Sequence, residues 1–207
     1  MFADLRGKRL DKPSIFNAIV APRPIAWVST LDAQGTANLA PFSYFNLLAN
    51  RPPTVVFSCA NPDDRREKDT LANIRGSGQF VINLVSRELL EQMHSTSTPV
   101  AAGVSEFEQF GIEPAPSETV RPPRVRHAPA SLECELLQLV PIAPELPQDI
   151  GGTAIIGRIV GLHLERRFID GNGRFDSRAA RLMARLGGNM YSELGEITEL
   201  APLARRE

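Results

Sequence analysis

"APRPIAWVSTLDAQGTANLAPFSYFN", Ala21–Asn46, is the stretch on which the fold turns. "PIAWVST" is β-branched and aromatic, which reads as a strand, and "TANLAPF" reads as a second. Between them "LDAQG" is a turn, with Gly35 available for a positive φ. Pro41 has no amide hydrogen and places the end of the second strand at an edge or a bulge. The same hairpin carries Arg23, Ser29, Thr30, Asn38 and Ser43 among apolar neighbours. Buried polar side chains are costly without partners, so these five need either internal hydrogen bonds or a ligand.

Outward from the hairpin, "DKPSIFNAIV" (11–20) reads as a short helix that Asp11 or Ser14 could cap, with Pro13 in its first turn. "LLANRPP" reads as a break and "TVVFSCA" as a strongly apolar third strand. "TLANIRGSG" is a short helix stopped by Gly76 and Gly78, and "QFVINLV" a fourth strand. "SRELLEQMHSTST" is an amphipathic helix capped by Ser86, with Leu89, Leu90 and Met93 on one face. Residues 96–130 are rich in proline and suggest a long surface excursion with a short helix at "SEFEQFG". "SLECELLQLVPI" and "TAIIGRIVGLHLERRFI" read as long strands, the first alternating Leu132, Cys134 and Leu136 with Glu133 and Glu135. "DGNGRFD" is a turn, "SRAARLMARLG" a helix and "GNMYSELGEI" a last segment. Short strands dominate, so a closed antiparallel barrel with peripheral helices is the expected architecture.

The totals bound the function classes. A chain of 207 residues suits one domain. Hydrophobic residues at 43% allow a core, and a formal net charge of -1 gives no global field for nucleic acid or an anionic membrane. No apolar run approaches the roughly 20 residues that span a bilayer. Cys59 and Cys134 stand far apart in no motif, which fits a reduced compartment, and "MFADLRGKRLDKPS" has no apolar signal core; the expected address is the cytoplasm.

Most motif candidates fall to plainer readings. "RGSGQFV" lacks a third glycine and precedes a strand, where a dinucleotide fingerprint precedes a helix. "DGNGRFD" lacks the bidentate glutamate of a calcium loop and reads as an Asn-Gly turn. Ser77 is no nucleophile elbow. His94, His127 and His163 share no ligand spacing, and Cys59 reads as a small core residue. "EKDTLAN", Glu67–Asn73, is different. It is either a plain helix start capped by Asp69 or Thr70, or an anion site in which Lys68, the Thr70 hydroxyl and the free N–H groups of a helix N-terminus act together. Beside Arg23, Ser29, Thr30 and Ser43, these groups are what a phosphate-bearing planar ligand requires, with strand backbone to meet its polar rim.

"PRPIAWVSTLDAQGTANLAPFSYFN", followed in order by "PPTVVFS", "KDTLANI", "FVINLV" and "GGNMY", resembles the flavin reductase-like family of FMN-binding split barrels. The resemblance covers nearly the whole chain and implies one domain over 1–207, a mainly β, six-stranded Greek-key barrel, split open, with peripheral helices. It implies FMN near the interface of a homodimer. It also implies flavin contacts from Ala26, Trp27, Val28, Ser29 and Thr30 of one strand, and from Asn38, Ala40, Ser43 and Phe45 of the next. Phe57 and Ser58 match the "FS" pair. Lys68, Asp69 and Thr70, with Asn73 just beyond, match the phosphate segment, Arg23 heads the first motif, and Tyr191 of "GGNMY" approaches the flavin or the nicotinamide. Many such reductases place a histidine of their second half at the nicotinamide; His127 and His163 are the candidates here. The activity implied is hydride transfer from NADH or NADPH to flavin, with a partner oxygenase as one destination of the reduced flavin. The alternatives are a tightly held FMN acting on another organic substrate or oxygen, and a non-enzymatic electron-transfer or redox-sensing protein. The flavin carries the chemistry in all of these, so no acid, base or nucleophile motif is required.

Overall fold

The computed structural model describes residues 2–8, 14–62, 67–101, 103–146 and 149–201. Asp11 and Pro13, named above for the first helix, lie outside them. Ile15–Ile19 forms a short helix (α1) whose Ser14 makes no side-chain cap. Arg23–Pro24 is a two-residue strand (β1), and Ala26–Leu31 and Ala37–Phe42 are the expected hairpin (β2, β3). Its turn closes on Asp32, whose carboxylate accepts the Gln34 and Thr36 amides, with Gly35 at φ 89°. Phe45–Asn50 (β4) and Pro53–Ala60 (β5) follow, then Asp69–Ser77 (α2) and Gln79–Asn83 (β6). A 3-10 turn at Arg87–Leu89 leads into Leu90–Ser95 (α3), and Glu106–Gln109 is a short helix (α4). Pro114–Ala115 (β7) pairs with Arg124–Val125 (β8), and the long strands are Ala130–Ile142 (β9) and Gly152–Leu164 (β10). Met183–Arg185 (β11) and Tyr191–Glu193 (β12) complete the order.

The main sheet has seven antiparallel strands in the order β3-β2-β6-β9-β10-β5-β4. It coils until Phe42 of β3 meets Phe57 of β5, ring centroids 5.1 Å apart, without a ladder between those strands. The result is a mainly β split barrel. Val28, Val55, Phe57, Phe80, Ile82 and Ile155 fill it. Outside, Trp27, Leu39, Met93, Phe107 and Val125 form a second core under α3 and α4. β2 therefore has apolar cover on both faces, which is why "PIAWV" runs apolar without alternation.

Three local expectations change. "LLANRPP" contributes to β4, the seventh strand, because the ladder to β5 outweighs the weak strand propensity of Asn and Ala. "SRAARLMARLG" makes no helix. Asp176 accepts the Arg178 and Ala179 amides in one turn, Arg181 takes φ 48°, and Met183–Arg185 is drawn into a ladder between β1 and β12. Gly76 lies inside α2, and Gly78 alone ends it, at φ 69°.

Candidate functional site

β3 is an edge strand, so one row of its amides faces away from the sheet. Glu106 of α4 covers part of that edge, its Oε2 accepting the Leu39 amide at 2.8 Å. Asn38 on the same strand donates through Nδ2 to Thr70 Oγ1 at 3.0 Å, which ties β3 to the start of α2. The N-cap residue of that helix is Lys68, in extended conformation and with no side-chain cap, so Asp69 and Thr70 are its first helical residues rather than its caps. Lys68 Nζ lies 5.7 Å from the Phe42 ring centroid. The segment after α3 forms the opposite wall. A cavity of about 130 Å³ opens between them, lined by Asn38, Ala40, Lys68, Asp69, Thr70, Ser97 and Thr98 with Glu106 at its side. An ammonium, several hydroxyls and an uncapped helix N-terminus form a donor set for a phosphate. Asp69 and Glu106 limit how much further negative charge fits.

Pro41 and Ser97 are shared with a second cavity of about 240 Å³, so the two run together along β3. Phe42, Ser43 and Tyr44 form one wall of the second cavity; Arg185 and Tyr191, brought in by the β1-β11-β12 sheet, form the other. Arg23 lies at its base, 8% exposed. Its Nη1 donates to Asn17 O and Val20 O, and its Nη2 to Leu186 O, which joins the end of α1 to β11. Arg23 Nε is buried with no protein partner. Tyr191 Oη accepts from Arg185 Nη1 and lies 3.0 Å from His94 Nδ1. Aromatic walls, serine and tyrosine hydroxyls and two guanidinium groups suit a planar ligand with a polar rim, joined to a phosphate in the neighbouring cavity.

Against known families, residues 20–177 match the flavin reductase like domain. The chain belongs to the flavin reductase-like domain family. A relative from Aquifex aeolicus, described as an uncharacterized protein, is 38% identical over 187 residues, covering 89% of this chain and 92% of its own. Among solved structures, nitrilotriacetate monooxygenase component B from Bacillus cereus is 28% identical with a TM-score of 0.88, over 97% of this chain and 98% of that one. The 2-nitrobenzoate 2-nitroreductase NbaA of Pseudomonas fluorescens is 29% identical with a TM-score of 0.83, over 98% and 96%.

In this family member the residues named from sequence divide into three groups. Arg23, Asn38, Ala40, Ser43, Lys68, Asp69, Thr70 and Tyr191 line the paired cavities. Ala26, Trp27, Val28, Ser29 and Thr30 are fully buried and line neither. Their polar groups are used internally: Trp27 Nε1 donates to Thr96 Oγ1, Ser29 Oγ donates to Pro123 O, and Asn73 Nδ2 donates to Thr30 Oγ1. β2 also pairs with β3 along its length and with β6 over Trp27–Ser29, so the backbone of those three residues is committed on both sides. Phe57 is core, Phe45 packs against that core, and Ser58 sits in the β5 ladder, its amide bonded to Tyr44 O. Asn73 lines an adjoining polar hollow with Asp32, one that shares Asn38 and Asp69 with the smaller of the paired cavities.

Sequence reading missed Pro41, Tyr44, Thr96–Thr98, Glu106 and Arg185. The hydroxyl run "STST" was the available signal for the third of these, hidden by its place at a helix end. Of the histidines, His127 pairs with exposed Glu113 and His163 with buried Glu133, neither in the paired cavities; His94 is the one that reaches them, through Tyr191. Cys59 and Cys134 are free and buried, and burial pushes the Cys59 thiol up to about 12.

Proposed function

We propose that this protein binds FMN along the paired cavities and reduces it with NADH or NADPH. The observation that carries the reading is the continuity of the two cavities, one with a phosphate donor set and one with aromatic walls, in a chain of the flavin reductase-like family. Lys68, Thr70, Asn38 and Ser97 would hold the phosphate; Arg23 and Ser43 would meet the ring, and Tyr191 the substrate placed against it. The flavin supplies the two-electron chemistry, and a hydride leaves the nicotinamide as NAD(P)⁺ forms. The protein's part is proximity and orientation, which contribute on the order of 7–11 kcal/mol when donor and acceptor are held in reacting geometry.

The expected assembly is a homodimer in the cytoplasm, and the resemblance to a monooxygenase component supports delivery of reduced flavin to a partner oxygenase. The half-exposed Leu47 and Leu48 of edge strand β4 suit a subunit contact. Purified protein with added FMN is expected to oxidise NADH or NADPH, followed by the loss of nicotinamide absorbance; no consumption with FMN, FAD or riboflavin refutes the reading. A second reading, in which FMN stays bound and an organic acceptor is reduced, is supported by the nitroreductase relative. Yellow colour retained through gel filtration favours it, and a colourless protein that turns over free flavin favours the first.

A further inference from the structure

Tyr191 stands at the edge of the larger cavity with its hydroxyl between two basic side chains. Arg185 Nη1 donates to Tyr191 Oη, and the guanidinium lies 4.5 Å from the ring centroid. On the other side, His94 Nδ1 is 3.0 Å from Oη, with the two rings edge to face. His94 is exposed, so a line of hydrogen-bonded groups runs from the cavity to solvent.

The other protic groups of this cavity are unsuited to releasing a proton: Ser97 donates its own to His94 O, and Arg185 is a guanidinium. Tyr44 donates its proton to Asn17 Oδ1. Arg23 donates to three backbone carbonyls, and a guanidinium keeps its protons throughout the physiological range. The Ser43 hydroxyl is a much weaker acid than a phenol. We infer that Tyr191 Oη is the proton donor to an acceptor reduced in the Arg23–Ser43–Tyr191 cavity, and that His94 reloads it from solvent. The inference rests on the flavin reading of the groove.

Two-electron reduction of a carbonyl or nitro group requires a hydride and a proton. Bound flavin would supply the hydride, with its electron pair drawn from the nicotinamide, to the carbon or nitrogen, and a nitro adduct would then lose water to give the nitroso product. The Tyr191 O–H bond breaks, and its proton forms the new O–H bond on the acceptor. Arg185 Nη1 holds the phenolate left behind, which takes the Nδ1 proton of His94; His94 recovers a proton from water. A neutral imidazole accepts the phenol hydrogen bond and a protonated one donates to it, so one contact serves both stages. Tyr191 touches the acceptor in this scheme, whereas His94 acts through it.

The test compares FMN-loaded wild type with Tyr191→Phe, His94→Ala and a control, His127→Ala, using 4-nitroacetophenone as acceptor and NADH or NADPH as electron source. FMN dissociation constants are read separately from flavin fluorescence. Tyr191→Phe is expected to slow acceptor reduction about a hundredfold while FMN affinity stays within about threefold. His94→Ala is expected to lose about tenfold and to regain most of it with imidazole in the buffer; His127→Ala keeps the wild-type rate with or without imidazole. A Tyr191→Phe rate near wild type, FMN affinity falling in step with rate, or no rescue of His94→Ala overturns the inference. Wild type that binds no FMN removes the proposed function along with it; wild type that binds FMN and leaves the acceptor unreduced removes this inference alone.

Discussion

Glu133 is fully buried on β9, where the alternation with Leu132 and Cys134 suggests a solvated carboxylate. The 114–125 excursion crosses that face and supplies its partners. The amides of Glu118, Thr119 and Val120, the Thr119 hydroxyl and His163 Nε2 all reach its two oxygens. Burial acts to raise its pKa, but these donors outweigh it and lower the value from 4.5 to about 2. A carboxylate whose folded pKa is depressed stabilises above its unfolded pKa and loses that contribution as pH falls through the folded one. Glu133 thus contributes roughly 3 kcal/mol at neutral pH, and this fades between about pH 4.5 and about pH 2. Glu133→Gln is expected to cost about 2–4 kcal/mol in urea unfolding at pH 7, because an amide turns donors toward donors. The same variant should show little further loss over that acid window; a loss as steep as wild type would place the acid sensitivity elsewhere. Lys68 is the other single residue with a sharp expectation. Lys68→Ala should weaken FMN more than riboflavin, since only FMN carries the phosphate charge. Equal losses in paired titrations would remove Lys68 from the phosphate role.

Among the elements, the long strands β9 and β10 were legible because their apolar runs are long and turns bound them. Their packing constraints were not. Gly157 on β10 faces Phe80, and a Cβ there would fall 2.4 Å from the ring's Cζ. Phe80 is fully buried and edge-on to Phe57 at 5.6 Å, so it has little room to withdraw. Gly157→Ala is expected to destabilise by about 1–3 kcal/mol, read as a lower urea midpoint at unchanged slope. The 177–187 segment shows the opposite case. Its helical composition was clear, yet β11 forms because β1 and β12 present backbone partners on both sides. Propensities of a few tenths of a kcal/mol per residue yield to such pairing.

For the whole molecule, the barrel encloses one apolar core and the groove lies outside it, along edge strand β3. A ligand held there bridges β3, the start of α2, the segment after α3 and the β11–β12 pair, and so adds contacts between elements that the two cores already pack together. FMN at about one hundred times its dissociation constant should add about 2.7 kcal/mol. For a chain of this size that raises the melting temperature by roughly 5–10 °C. Differential scanning with FMN and with riboflavin checks it, and an unchanged melting temperature would mean that FMN does not bind the folded state.

Six of the seven strands of the split barrel, all but β4, with the turn at Gly35 and the helix beginning near Lys68, follow from local chemistry: β-branched runs, a residue free to take positive φ, and a charged start before a periodic apolar stretch. The resemblance carried by "PRPIAWVST" and "NLAPFSYF" rests on the same local record. Which polar side chains face a ligand did not follow, because orientation depends on what covers each face. Ser29 and Thr30 look like Asn38 and Ser43 in sequence. The proline-rich excursion and α2 cover β2 and take up its hydroxyls, while β3, at the sheet edge, and the bend just after it keep Asn38 and Ser43 on the groove. The meeting of His94, Arg185 and Tyr191 is likewise a product of tertiary structure, since it joins α3 to two short strands some ninety residues further along the chain.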